Sequence, residues 1–591
     1  MNFDDFRFHD KKPTFKQEVL TNKPTVTIAE LYPYENLTGD EAAKVMQVPA
    51  GFQVQLAAQE PDVTQPIAMA IDDRGRIWIA EAHSYPEREQ EGNGKDRIVI
   101  LEDTDLNGTL DKRTVFIEGL NLVSGLEVGF GGVWVGAAPY FLFIPDRNGN
   151  DIPDGQEMAN VNGITPTSNA PLQFPKDVPF GATVLLDGWA WQDTHETLNA
   201  FIWGPDGWLY GCHGVFTHSR VGKPGTPDDQ RVPINAGIWR YHPVRHEFEV
   251  FAHGTSNPWG VDFNEVGEAF CTACVIPHLY HIIPGGRYQR QAGQHFNQFT
   301  YDDIKTIARH RHFVGNQWNN NDRRASDDLG GGHAHAGAMI YRGGAWPKEY
   351  DGKLFMHNIH GNRVNVDMLI DEGSGYAGDR NPDFLHTGDK WSQMINLKYG
   401  PDGQVWMIDW YDQNQCHRRE EGLHDRTNGR VFRVTYGDVK PSQVNLAEAT
   451  LGELINHALY TDNEWYAQHA RRLIQERSLQ ETIDWTAITE TRNVQEDNPV
   501  QMLRLLWLFH ITGTLEQSKP QDIDRVLANA SPHVRGWCLR LLAESGKFDG
   551  LLERLQRLAI NDPSPIVRRS IASAVQTLPL SDRWSILEGL V

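Results

Sequence analysis

Asp193 and His195 stand two residues apart, just ahead of the hydrophobic run that begins at Phe201. Imidazole is the side chain whose ordinary pKa lies nearest neutrality, so it can take a proton from a hydroxyl at working pH. On an extended segment a carboxylate two residues away faces the same side and can orient the ring or hold it charged. This spacing places the His195 ring, with Asp193 beside it, at the mouth of the strands that follow. Asn257 and His335 occupy equivalent places before later strands and should face the same mouth. The chain carries 24 histidines, many between strands, and His333-Ala334-His335 reads as a metal pair whose third ligand the sequence does not identify. Cys271 and Cys274 form a CxxC on a strand, with no second pair for zinc and with Val275 where covalent haem needs histidine. They read as apolar strand cysteines.

Two acidic loops suggest a different chemistry. Asp103, Asp105, Asn107 and Asp111 alternate along one stretch with Gly108 at its sixth position. Asp146, Asn148, Asn150 and Asp154 repeat the spacing. Calcium takes six to eight oxygens, and alternate residues of a tight loop converge on one point. Both loops are read as structural calcium sites that lack a glutamate at the twelfth position and so are not full helix-loop-helix sites.

The elements that must position these groups recur six times. Each copy is a hydrophobic strand, a glycine-bearing turn and a second strand, with marker glycines at 75, 132, 207, 267, 352 and 403. A third strand follows each hairpin, at 98–101, 141–144, 238–241, 279–282, 364–367 and 431–434. Self-similar strands at this spacing predict a six-bladed β-propeller, whose loops gather at the mouth of a central channel. A further strand is expected at 48–56. After Asp438 glycine becomes sparse and apolar residues recur at helical spacing. Trp465, Val500, Val534 and Val567 occupy matching places 35, 34 and 33 residues apart, which resembles a HEAT-type array of helix pairs. The division expected is an N-terminal extension over 1–45, a propeller over 46–437 and helical repeats over 438–591. The fold class is therefore mainly β plus α.

Composition excludes several functions. A formal charge of -23 disfavours nucleic acid, which is bound through basic surface. Five cysteines are too few, and odd in number, for a disulfide framework. No apolar run is long enough to span a membrane, and residues 1–12 lack the hydrophobic core of a signal peptide. No phosphate-binding glycine loop and no nucleophile-elbow serine is present.

Several stretches are similar to the quinoprotein glucose and sorbosone dehydrogenases. They are 204–207, 282–288, 337–347 with 352–355, and 428–433. The branch resembled more closely is the PVC-type membrane-bound dehydrogenases, through 125–136, 193–197, 274–278 and 425–430. The resemblance covers about residues 40–437. It implies a six-bladed propeller that holds pyrroloquinoline quinone over calcium and oxidises a sugar, or a sugar-derived alcohol or aldehyde, by hydride transfer. By the same resemblance His195 is the base, and Asn257, His335, Arg287, Arg363 and Arg426 bind the cofactor. Asn257-Pro258 matches the family's Arg-Asn-Pro with Ser256 in the arginine's place. This chain has no covalent haem motif, so electrons would leave to a separate cytochrome c-type acceptor. An extracytoplasmic, periplasmic setting is the family's. The alternative is a noncatalytic carbohydrate-binding propeller whose helical repeats bind a protein partner.

Overall fold

The computed structural model describes residues 32–162, 176–275, 277–296, 302–313, 323–414, 420, 422–439, 443–485, 494–495, 497–546 and 549–591. Six of the seven sheets among the described residues, mainly antiparallel, form the blades of one propeller, and Ser219–Val221 with Val232–Ile234 makes a separate two-stranded ribbon. The innermost strands are Pro66–Ile71, Val123–Val128, Asn199–Trp203, Pro258–Phe263, His335–Ile340 and Met394–Tyr399, each packed on the next around the ring. Every third strand expected from the sequence lies in a blade.

The ring closes through the N-terminal strand Phe52–Gln59, which pairs antiparallel with Arg430–Tyr436 at the outer edge of blade six. Blade four has three strands, because Arg287–Arg290 pairs parallel with Glu247–Thr255 of blade three.

The hairpin turns explain four of the marker glycines. Gly75, Gly207, Gly267 and Gly403 each donate their N–H to the carbonyl three residues earlier and take positive φ, which glycine adopts without steric cost. In blade two Gly131, rather than Gly132, takes this conformation, at φ 69°. Blade cores interlock through aromatic residues: Trp134, Phe141 and Trp239 pack edge-on or tilted between blades two and three.

Beyond the propeller the chain is helical from Leu451–Tyr460 to Leu580–Leu590. The four matching sequence positions open the helices Glu464–Ser478, Pro499–Ile511, Pro532–Ser545 and Pro565–Val575. Asn463, Asn498 and Ser564 cap three of them, and proline begins the last three, where its missing N–H costs nothing.

These helices cover the face that carries the hairpin turns. Trp537 donates to the carbonyl of Val266 at 2.8 Å, Gln468 to that of Trp203 at 2.7 Å, and Trp208 to Glu544 at 2.8 Å. Apolar residues of both regions share cores: Met69, Ile71, Trp465 and Ile474 belong to one cluster, and Val266, Trp507 and Trp537 to another. Among the described residues no helix is long and apolar enough to cross a membrane.

Candidate functional site

Two recesses lie on or near the propeller axis. The central channel is lined by inner strands of all six blades. Its floor on the covered face is Trp465, Gln468, His469 and Arg472. Towards the other face Ala82, Tyr85, Ala336, Ile395 and Trp410 form an apolar cluster, with Ile67 and Trp259 against it. Inside, Lys398 bonds Glu127 at 3.1 Å, and burial pushes Asp262 up to about 7.

The second recess opens on the uncovered face, where the inner strands begin. It is a cleft of about 560 Å³ walled by Tyr85, Pro86, Gln192, Asp193, Thr194, His195 and Phe216. Here the expected pair meets: His195 Nδ1 lies 2.6 Å from Asp193 Oδ1. The local backbone is a 3₁₀ turn, Thr194–Glu196, rather than the extended segment expected. Thr194 ties this turn to blade one by donating its hydroxyl to the Pro86 carbonyl at 2.7 Å. The Asp193 carboxylate assigns the ring proton to Nδ1 and leaves Nε2 as the basic nitrogen. Nε2 stands 3.7 Å from Glu196 Oε1.

Glu196 escaped the sequence reading, although it adjoins His195. It is 3% exposed. Its carboxylate accepts from Phe216 N at 2.9 Å and from the Asn257 side-chain amide. Burial, reinforced by the nearby Asp193 charge, raises it to about 9, so the carboxyl is protonated at neutral pH. Gly214 makes room for it: a Cβ there would lie 2.2 Å from Glu196 Cβ. Asn257 is therefore brought to the site, but it holds Glu196, and its Oδ1 accepts from Val215 N at 2.8 Å. Its φ of 60° is a left-handed value that asparagine tolerates better than most residues. Donor atoms of Asp193, His195 and Glu196 lie within 4.8 Å of one another, close enough to share a cation.

The residues expected to hold a quinone are scattered. Arg287 is paired with Asp303 at 2.7 Å on the strand that joins blade three. Arg363 is buried between Asp327 and Asp383, at 3.1 and 2.9 Å. Arg426 comes nearest, behind the cleft wall, donating to the carbonyls of His83 and Tyr85. His335 lies among other histidines, 2.9 Å from His312. These residues do not form one cradle: Arg287 and Arg363 are paired with acids, and Arg426 with carbonyls of the blade-one connection. The cleft offers one carboxylate held by His195 and the neutral Glu196 carboxyl, and no lysine or arginine is among its lining residues, so a tricarboxylate quinone would find no fixed counter-charge there. The residues present do not fit it.

The two acidic loops follow the third strands of blades one and two and share one hydrogen-bond pattern. Asp103 accepts from Asn107 N and Gly108 N at 3.0 and 2.7 Å. Asp146 accepts from Asn150 N and Asp151 N at 3.2 and 3.1 Å. Asp111 and Asp154 each accept from the residue after the loop's first aspartate, Thr104 N at 2.9 Å and Arg147 N at 3.0 Å. In the second loop Glu157, eleven residues after Asp146, turns back to Asn148 and Asn150. It supplies the twelfth-position acid that the sequence reading passed over.

A six-bladed propeller with a histidine–carboxylate cleft on its open face is the class that fold and site define. The chain belongs to the DUF7133 family, a domain of unknown function, whose model matches residues 38–170 and 181–438. No curated protein matches it. Among solved structures it is similar to an oxidoreductase of Thermus thermophilus assigned to the glucose dehydrogenases, at 16% identity, 65% of this chain, 100% of that one and TM-score 0.39. The soluble aldose sugar dehydrogenase of Escherichia coli is similar at 11% identity, over 66% and 100% of the two chains, with TM-score 0.37. A calcium-binding protein, regucalcin, of Agrobacterium tumefaciens matches at 10% identity over 66% and 97%, with TM-score 0.33.

Proposed function

We propose that the chain is a sugar-oxidising enzyme in which His195 takes the proton of a substrate hydroxyl while a diffusible two-electron acceptor takes the hydride from the same carbon. The observation that supports this reading is the 2.6 Å contact between His195 Nδ1 and Asp193 in an open cleft. Asp193 fixes the tautomer and stabilises the imidazolium that forms as the hydroxyl is deprotonated. Tyr85 and Phe216 offer ring faces to the apolar face of a pyranose, and Gln192 and Thr194 offer polar partners for its hydroxyls. Protonated Glu196 lies across from Nε2, where it polarises the same oxygen without adding negative charge. A neutral substrate suits this site better than an acidic one.

The acidic loops serve as structural calcium sites on the covered face, with Asp146, Asn148, Asn150, Asp154 and Glu157 as the fuller donor set. They lie away from His195 and supply stability rather than chemistry.

The test is a dye-linked oxidation assay across neutral sugars and their lactols, run with and without added quinone and calcium. Turnover should fall by about two to four orders of magnitude in His195→Gln, with folding unchanged. If no sugar is oxidised under any of these conditions while glycan binding is strong, the propeller is a binding module instead.

A further inference from the structure

Behind the open face, between blades four and five, lies a group of imidazoles that the cleft does not use. His278 precedes the strand Leu279–Ile282 of blade four, and Asp367 sits on Arg363–Glu372 of blade five. His310 and His312 come from the segment joining the two blades. Backbone bonds wedge that segment between them: Ile307 N to Leu279 O at 3.2 Å and Arg309 N to Gly378 O at 2.9 Å. His278, His312 and Asp367 are wholly buried, and the His310 side chain is 16% exposed.

The donor atoms converge. His278 Nε2 is 3.0 Å from Asp367 Oδ2, and His310 Nε2 is 3.1 Å from Asp367 Oδ1. His310 Nε2 is also 3.1 Å from His312 Nε2. Ligands held about 2.0–2.1 Å from one ion at tetrahedral or octahedral angles stand roughly 2.9–3.4 Å apart. Hydrogen bonds alone serve the group less well. If His278 and His310 donate to the two carboxylate oxygens, His312 Nε2 faces an N–H already given to Asp367. One proton is then shared between two acceptors, whereas a cation gives all three nitrogens and the carboxylate the same target.

We propose that His278, His310, His312 and Asp367 form a closed site for one divalent transition-metal ion, of the zinc class, that ties blade four to blade five. Three imidazoles and one carboxylate are a borderline N/O donor set, and a site without an open position is structural. His335 completes it from behind. Its Nε2 lies 2.9 Å from His312 Nδ1, a contact that fixes the His312 ring and directs Nε2 inward. The pair suggested by His333 and His335 is thus replaced by His312 and His335, the first as ligand and the second as its support.

Metal content of the untagged full chain tests the proposal, after loading with zinc sulfate and gel filtration. About one zinc per chain is expected, with chelation lowering the melting temperature and zinc restoring it. Asp193→Asn should keep the metal, and Asp367→Asn and His310→Ala should lose it. His335→Gln should weaken it by about 10- to 100-fold. Should Asp367→Asn fail to fold, cobalt-loaded wild type gives an independent reading through visible bands of an N/O-ligated ion. Less than about 0.1 metal per zinc-loaded wild-type chain overturns the proposal. So does metal that is lost in Asp193→Asn but kept in His310→Ala.

Discussion

The molecule holds two clusters built from the same side chains, and their surroundings separate them. Asp193, His195 and Glu196 line an open cleft, with His195 and Asp193 each 18% exposed at the side chain. His278, His310, His312 and Asp367 are closed in between blades. In the first, the carboxylate orients a ring whose second nitrogen looks into a recess where substrate can sit. In the second, every donor faces the others. Three of the four donors in the second cluster are wholly buried, and His310 is 16% exposed at its side chain. The difference comes from position in the blade. The open cluster lies on a turn ahead of an inner strand, and the closed one lies where a connection is trapped between two outer strands.

Substitutions in the two clusters should therefore fail in different ways. The largest effect is expected for Asp193→Asn, which removes the partner that sets the His195 tautomer. Turnover should fall by about 100-fold or more, while the melting temperature stays within a degree or two. Equal loss of stability and turnover would erase the contrast between the clusters. Asp367→Ala should do the reverse, costing about 1–3 kcal/mol by denaturant unfolding, because it removes the buried carboxylate that His278 and His310 face. An unchanged unfolding midpoint would place the second cluster on a par with surface residues.

A smaller effect belongs to the loops. Calcium at about 100 times its dissociation constant should add roughly 2.7 kcal/mol per site to a chain that binds it only when folded. Glu157→Gln should reduce that gain, and a melting curve indifferent to calcium would leave the loops as turns alone.

A separate effect concerns pH. Burial raises Glu196 to about 9 in the folded chain, above its unfolded value, so the folded state holds the proton more tightly. Stability contributed by Glu196 is thus present below about pH 4.5 and lost progressively as pH rises towards 9. Glu196→Gln should flatten the decline in unfolding free energy between pH 5 and 9, relative to wild type. The same decline in the variant would assign the slope to other groups.

Much of this was legible in the sequence, and the limits are physical. Strand alternation and glycine turns identify six blades because period-two patterning and positive φ are local properties. His195 and Asp193 could be paired because two residues of chain allow little freedom. Glu196 was missed because its role depends on burial under Phe216 and Asn257, brought from two other connections. Arg287, Arg363 and Arg426 looked interchangeable as cations. Their acids, Asp303, Asp327 and Asp383, and the carbonyls of His83 and Tyr85, are chosen by tertiary packing. The imidazole cage draws on positions 278, 310, 312 and 367, a spacing no local motif encodes. Glu157 was the opposite case, available by counting twelve positions from Asp146.

The strand Phe52–Gln59 has a consequence for how the ring is made. Its partner Arg430–Tyr436 emerges last among the strands of the propeller. At ribosomal speeds of roughly 5–20 residues per second, tens of seconds separate the two. Throughout that interval the nascent chain carries an unpaired strand edge at its leading end and an open ring behind it. Completion is a single long-range event that joins the oldest part of the chain to the newest, so blades made earlier wait on the last one to become a closed body.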